Sequence, residues 1–241
     1  LVVAYLLNPG RRDYDTSDWS ALAASLSKEK KLLKIYEDIE LPLMPVLLTM
    51  KERGIKLDLP SLASLSKRLG KRVAELTKQI HKEAKMEFNI ASPIQLREVL
   101  FEKLHISTDN IKKTGKTKAL STGADQLEKL RGLHPIIDLI FEYREITKLK
   151  STYVDSLPEL VGTDGRIHTT YNQTISAHGR LSSVNPNLHS SPIKSDLGSE
   201  VRQAFIADAG KVLLYLDYSQ VDVRIPASLY IARTSGRERV G

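Results

Sequence analysis

Six apolar residues, Leu62, Leu65, Leu69, Val73, Leu76 and Ile80, recur at steps of three and four. On an α-helix that spacing draws one continuous stripe down one side. Asp58 stands just ahead of it, and a short carboxylate there can accept the first unpaired amides of a helix. Lys67, Arg68, Lys71, Arg72, Lys78, Lys82 and Lys85 fall off the stripe. The segment therefore predicts a long helix with one face to bury and one basic face. Such a stripe needs a matching helix, which predicts an antiparallel helical hairpin or coiled-coil arm. The basic face is either simply solvated or turned toward phosphates.

The flanking segments are also largely helical in pattern. Leu1–Leu7 is apolar and Asn8-Pro9-Gly10 is a turn signal. Asp15, Thr16 or Ser17 could cap a short helix through Trp19–Leu26. Ile35, Ile39, Leu43, Val46, Leu47 and Met50 keep helical spacing, but Pro42 and Pro45 must kink or restart that helix. Gly54 is a natural helix stop, and Ile55–Leu57 is a brief extended piece. Ser92 as N-cap and Pro93 in the first turn open a helix to about Leu104. Pro135 opens a second long helix carrying Ile136, Ile140, Ile146, Leu149 and Val154, closed by Pro158 and Gly162.

Between them, Asp109–Thr122 reads DNIKKTGKTKALST. Little apolar content and Lys112, Lys113, Lys116 and Lys118 around Gly115 predict a mobile basic loop. The G-x-x-x-x-G-K-[ST] spacing of a P-loop is absent, so that reading is rejected. Contact with a nucleic-acid backbone needs no fixed spacing and stays open. Ser121 or Thr122 is placed to cap the short helix that follows.

After Gly162 the pattern changes. Thr163-Asp164-Gly165 is a turn, and Arg166–Thr174 alternates like a half-exposed strand. Ser176–Leu197 has no period and is rich in Ser, Asn, His and Pro. Val201–Ile206 and Val212–Leu216 read as strands, the second apolar enough to be buried on both faces. A helical part followed by a sheet part predicts an α+β fold with a boundary near Val161. The second strand ends on Asp217, with Ser219 as a helix N-cap behind it. A carboxylate there either caps a turn or holds a cation, and the local residues leave the two readings equal.

Composition bounds the partners. The chain has 241 residues, a formal charge of +7 and no Cys. That excludes disulfides and thiolate metal sites, and fits a reducing compartment. A modest basic excess suits a polyanion. No apolar run approaches a membrane span, and no signal peptide is visible. A first residue other than Met predicts a start lying further upstream.

Several motifs in one order then point to a family. SAHGRLSSVNPNL (Ser176–Leu188), VRQAFIA (Val201–Ala207) and LDYSQVDVR (Leu216–Arg224) resemble the family A, bacterial DNA polymerase I-like, DNA polymerases. ERGIKLD, EFNIASPIQLREVLF, KTGKTKALST, YREITKLKSTYVDSLPEL and RIHTTYNQT, upstream, are similar in the same order. The resemblance implies a tail of a 3′–5′ exonuclease-like domain over residues 1–36. It implies a helical, duplex-binding thumb over 37–161 and part of an antiparallel-sheet palm over 162–241. It implies DNA-directed DNA polymerase activity in replication and repair, with primer–template DNA and deoxynucleoside triphosphates as partners. A monomer in the cytoplasm, with the nucleoid, is expected.

The same resemblance assigns roles. Asp217 matches the first palm aspartate, which binds both Mg²⁺ ions, with the carbonyl of Tyr218 as a further ligand. Gln220 and Asp222 lie at the nucleotide site. Arg180 matches an arginine that reaches the primer terminus through the minor groove, where every base pair offers N3 or O2 acceptors. Asn172, Gln173 and Asn187 match polar partners of the two strands. Lys150, Thr152, Ser121 and the Lys112–Lys118 loop are expected to grip phosphates.

The chain also departs from the family pattern. Asp222 stands where the family has Glu against the sugar, which predicts weaker sugar discrimination. His178 replaces Thr, and His189-Ser190-Ser191 replaces Gln-Asn-Ile. Pro226 is expected to interrupt the helix after Arg224. The fingers helix and the His-Asp-Glu turn with the second palm aspartate are not in the sequence, so the 241 residues are expected to be inactive alone. A non-catalytic duplex-binding module and a basic helical structural protein are the alternatives.

Overall fold

The computed structural model of the chain describes residues 1–9, 13–108, 111–112, 120–189 and 195–228. Contacts divide it into a unit of Leu1–Ile206 and a unit of Ala207–Gly241.

The first unit opens with α1 (Val2–Leu7), α2 (Trp19–Lys28), α3 (Lys30–Ile35) and α4 (Leu41–Arg53). The cap of α2 is Asp18, which accepts from the Ala21 amide (2.9 Å), rather than any of the three residues before it. Helix α3 passes into a π turn over Tyr36–Glu40, and α4 restarts with Pro42 in its first turn. Pro42 lacks the amide an unbroken α-helix would use, and the helix is reset just before it, whereas Pro45 lies inside α4 and does not restart it. Among the apolar residues expected to pack from this helix, Leu47 is buried, while Ile39 and Val46 are exposed.

Strand β1 (Ile55–Leu57) follows, then α5 (Leu59–Ala84). Asp58 caps α5, accepting from the Ser61 amide at 3.0 Å. Leu62, Leu65, Leu69, Leu76 and Ile80 are buried, as the stripe requires, and Val73 packs at its margin. After α6 (Pro93–Arg97) and a π turn over Glu98–Lys103 come α7 (Ala124–Leu127) and α8 (Ile136–Leu149). Gly123, not Ser121 or Thr122, stands at the N-cap of α7, and the Ser121 hydroxyl accepts from the Gly123 amide. A third π turn (Lys150–Val154) leads to α9 (Ser156–Glu159), which contains Pro158 rather than ending before it.

Helix α8 is the partner that the α5 stripe calls for. Leu62, Leu65, Leu69 and Leu76 share a core with Ile146, Leu149, Tyr153 and Val154. Ile80 and Ala84 share a second core with Ile136, Ile137, Ile140 and the buried Leu96, Leu100 and Leu127. The start of α5 thus meets the end of α8, so the two run antiparallel and α5 spans both cores.

The sheet elements are short. Arg166–Thr174 is not one strand but two, β2 (Arg166–Ile167) and β3 (Thr170–Asn172). Strand β2 pairs with β1, whereas β3 pairs with β4 (Ser182–Val184). Residues Val201–Gln203 belong to α10 (Asp196–Gln203), and only Phe205–Ile206 forms strand β5. Three strands lie in the order β2-β1-β5, antiparallel, so the strand between α4 and α5 is the central one. Helices with a small antiparallel sheet make the fold α+β.

Gly54 ends α4 at φ +58°, and a Cβ there would fall 2.6 Å from the Ile167 carbonyl. That close approach and the left-handed φ both require glycine. Beside it, one ring nitrogen of His168 bonds the Lys51 carbonyl (2.7 Å) and the other bonds Asp164 (3.0 Å). The carbonyl bond and the neighbouring carboxylate raise the His168 pKa above its ordinary value. A raised folded pKa gives stability that is full below the unfolded value of about 6.5 and lost as pH rises through the folded one. The stability advantage of the parent chain over His168→Gln should therefore shrink in thermal melts as the pH rises above about 6.5.

The second unit departs most from expectation. Val212–Leu216 forms no strand and is exposed throughout, with Val212 at 86% and Leu216 at 83%. A strand is held by a neighbour's ladder, and among the described residues none pairs with this run. Ser219 lies in a turn, and Gln220 stands directly before helical residues 221–228, accepting from the Val223 and Arg224 amides (3.0 Å each). Pro226 lies within those helical residues instead of interrupting them. There its ring removes one ladder bond and crowds the carbonyl one turn back.

Candidate nucleic-acid interface

The basic residues of α5 divide into two groups by chemistry. Arg68 pairs with Glu200, and Arg72 makes a two-pronged bond to Glu142 (2.6 and 2.8 Å). The Glu142 bonds raise the Arg72 pKa, so that guanidinium stays charged and engaged. Lys67, Lys71, Lys78 and Lys82, with Lys85 at the C-cap, are exposed and form no ion pair among the described residues. Planar guanidiniums suit fixed carboxylates, whereas ammonium groups act as point charges. The arginines tie α5 to neighbouring helices, and the lysines face solvent.

Lys150 and Thr152 sit on the third π turn. The Lys150 ammonium donates to Asp155 (2.6 Å) and to the Ser66 hydroxyl (3.1 Å), and Ser66 donates to Asp155 (2.7 Å). Burial alone would raise the Asp155 carboxyl, but the Lys150 and Ser66 bonds hold it below the usual range. A phosphate approaching Lys150 must compete with that carboxylate. Thr152 is exposed on the same turn. Ser121 is half-buried, and Lys112 is exposed with its amide bonded to Gln126 (2.9 Å). Lys113, Lys116 and Lys118 lie outside the described residues. The exit of that loop is anchored by Arg144, which donates to the Thr122 carbonyl at 2.6 Å.

The β3–β4 hairpin gathers four of the expected DNA-binding residues. Asn172 pairs in register with Ser182 at the mouth of the loop. Gln173 follows, and its amide donates to the carbonyl (3.1 Å) and carboxylate (2.6 Å) of Glu40. Arg180 is exposed on the loop between the strands. Asn187 lies beyond β4, its side-chain oxygen accepting from the His189 amide at 3.0 Å. The buried hydroxyls of Thr169 and Ser183 fix this corner by bonds to Val184, Pro186, Leu188 and His189. Tyr5, from α1, bonds the Arg180 loop at Ser176 and Gly179. Neither Tyr5 nor Glu40 carries a local sequence signal for this, because both act on residues more than a hundred positions away.

In the second unit Asp217 is exposed, with the Tyr215 hydroxyl 3.5 Å away. Tyr218 is exposed and Gln220 adopts a left-handed φ of +56°, uncommon for a residue with a side chain. Asp222 lies in the helical stretch. Oxygen donors such as the Asp217 carboxylate and the Tyr218 carbonyl are of the kind Mg²⁺ prefers. Among the described residues no three His, Asp or Glu groups come together to hold a metal. The donor type fits the ion, while the donors among the described residues make only part of a site.

Comparison with known proteins places these residues in context. The sequence model of DNA polymerase family A matches residues 59–233. The chain is 42% identical to a thermostable DNA polymerase I of Thermus filiformis, over 95% of the chain and 30% of that protein. It is 45% identical to the thermostable DNA polymerase I of Thermus aquaticus, over 85% of the chain and 24% of that protein. The POL domain of Pol1 from M. smegmatis, solved with DNA primer-template and dNTP, superposes with a TM-score of 0.82 at 32% identity. That likeness covers 94% of this chain and 44% of that one. The chain thus spans under a third of the curated relatives named here. Among the described residues no helix is long and apolar enough to cross a membrane.

Proposed function

The chain belongs to DNA polymerase family A, and from that membership we propose that it is the duplex-holding part of a DNA-directed DNA polymerase with the opening of its palm. The observation that carries this is the single family match over residues 59–233, which takes in the α5 lysines, Arg180 and Asp217 together.

In this reading residues 1–36 end an exonuclease-like domain, 37–161 form the thumb and 162–241 begin the palm. The α5 lysines, Lys112, Thr152 and Ser121 meet phosphates. Lys150 does so by exchange with Asp155. Arg180, with Asn172, Gln173 and Asn187, meets the minor-groove side of the primer–template. Asp217 and the Tyr218 carbonyl would hold Mg²⁺, and Gln220 and Asp222 would flank the incoming nucleotide. The chemistry such ions supply is stabilisation of charge on the oxygens of a transferred phosphoryl group. The protein works as a monomer in the cytoplasm.

The reading makes a testable distinction. A polypeptide of these 241 residues offers Asp217 without a second palm carboxylate. It should bind primer–template and leave the primer unextended in a templated dNTP incorporation assay. Extension that Asp217→Ala abolishes would contradict this and make the chain itself a polymerase.

A further inference from the structure

The loop that carries Arg180 is weakly held by its own residues. Within it, the Gly179 amide donates to the Ser176 carbonyl at 3.2 Å and the His178 amide to the Ser176 hydroxyl at 3.4 Å. Both are long for such bonds. Gly179 sits at φ +69°, in the region that favours glycine, directly before Arg180. The stronger bond comes from outside the loop. Tyr5 is only 4% exposed, and a buried tyrosine hydroxyl needs partners. It donates to the Ser176 carbonyl at 2.8 Å and accepts from the Gly179 amide at 3.2 Å. One hydroxyl therefore bridges both ends of the turn that sets the main-chain direction into Arg180. At the loop's entry, Glu40 holds Gln173 in a similar way.

We propose that Tyr5 is a positioning residue for Arg180. The N-terminal segment, which lies outside both the thumb and the palm, sets the loop that Arg180 uses on a nucleic-acid duplex. Loss of the Tyr5 hydroxyl frees the turn, and part of the affinity is then spent on ordering it again. This inference rests on the reading that Arg180 contacts primer–template DNA.

The test uses the whole chain with Tyr5→Phe, Arg180→Ala and the double variant. Tyr5→Phe keeps the ring in the core and removes only the oxygen, and a melting curve with parental cooperativity shows that it folds. Two quantities are read: hydrogen exchange at the Gly179 amide, and affinity for a labelled primer–template duplex by fluorescence anisotropy. Tyr5→Phe should speed Gly179 exchange and weaken duplex binding by about three- to tenfold, the scale of one hydrogen bond. In the Arg180→Ala background it should weaken binding no further. Unchanged Gly179 exchange, parental binding by Tyr5→Phe, or an equal loss in both backgrounds would each overturn the positioning role. Parental binding by Arg180→Ala, or no duplex binding by the parent chain, would instead overturn the reading of Arg180, and the inference with it.

Discussion

Leu76→Ala should lower the unfolding free energy of the chain by about 3 kcal/mol. Leu76 is fully buried at the joint between α5 and α8, in the core that holds Leu69, Ile146 and Leu149. Truncation removes three carbons from water-free packing and leaves a void that two rigid helices cannot close. The loss should appear as a lower urea midpoint at unchanged slope. Leu214→Ala is the matched control, because Leu214 is 78% exposed. It removes the same atoms and should lower the unfolding free energy by less than about 0.5 kcal/mol. Equal effects at the two positions would mean that the run around Leu214 is buried in solution.

Duplex DNA affinity should fall by roughly 500-fold between about 50 and 200 mM salt, the loss expected when about five phosphates are neutralised. In the proposed reading the charges responsible are the α5 lysines. The triple variant Lys71→Glu, Lys78→Glu, Lys82→Glu should flatten the salt slope by about three units, one for each phosphate contact. Arg72→Ala should leave the slope unchanged, since Arg72 is already bonded to Glu142. Salt-independent binding would support a basic structural protein over a nucleic-acid binder, whereas a salt slope unmoved by the triple variant would put the phosphate contacts elsewhere than on α5. The comparison separates two cations one residue apart, Lys71 and Arg72, which composition treats alike.

That difference shows where sequence reasoning reaches and where it stops. The α5 stripe, the Asp58 and Ser92 caps and the Gly54 stop are legible because each is a local matter of period or of one side chain beside its own backbone. The ordered motifs were specific enough to name the family before any geometry was known. The cap positions of α2 and α7 missed by one to three residues, because several polar residues in a row can each cap and packing chooses among them. Val201–Ile206 reads as a strand, yet Ser195 caps a helix that takes in its first three residues.

The sequence by itself determined the long amphipathic helix, its need for a partner, the basic surplus and the family to which the chain belongs. All of these follow from residue type and spacing along one segment. Only the tertiary structure decided that Ile55–Leu57 is the centre of the sheet, that arginines and lysines on one helix have different work, and that Tyr5 braces the loop of Arg180. It also decided that the apolar run ending at Asp217 stands exposed. Apolar character states that a segment gains by burial, whereas burial and a strand ladder need a second surface, and whether that surface is supplied is settled by residues far away in the chain.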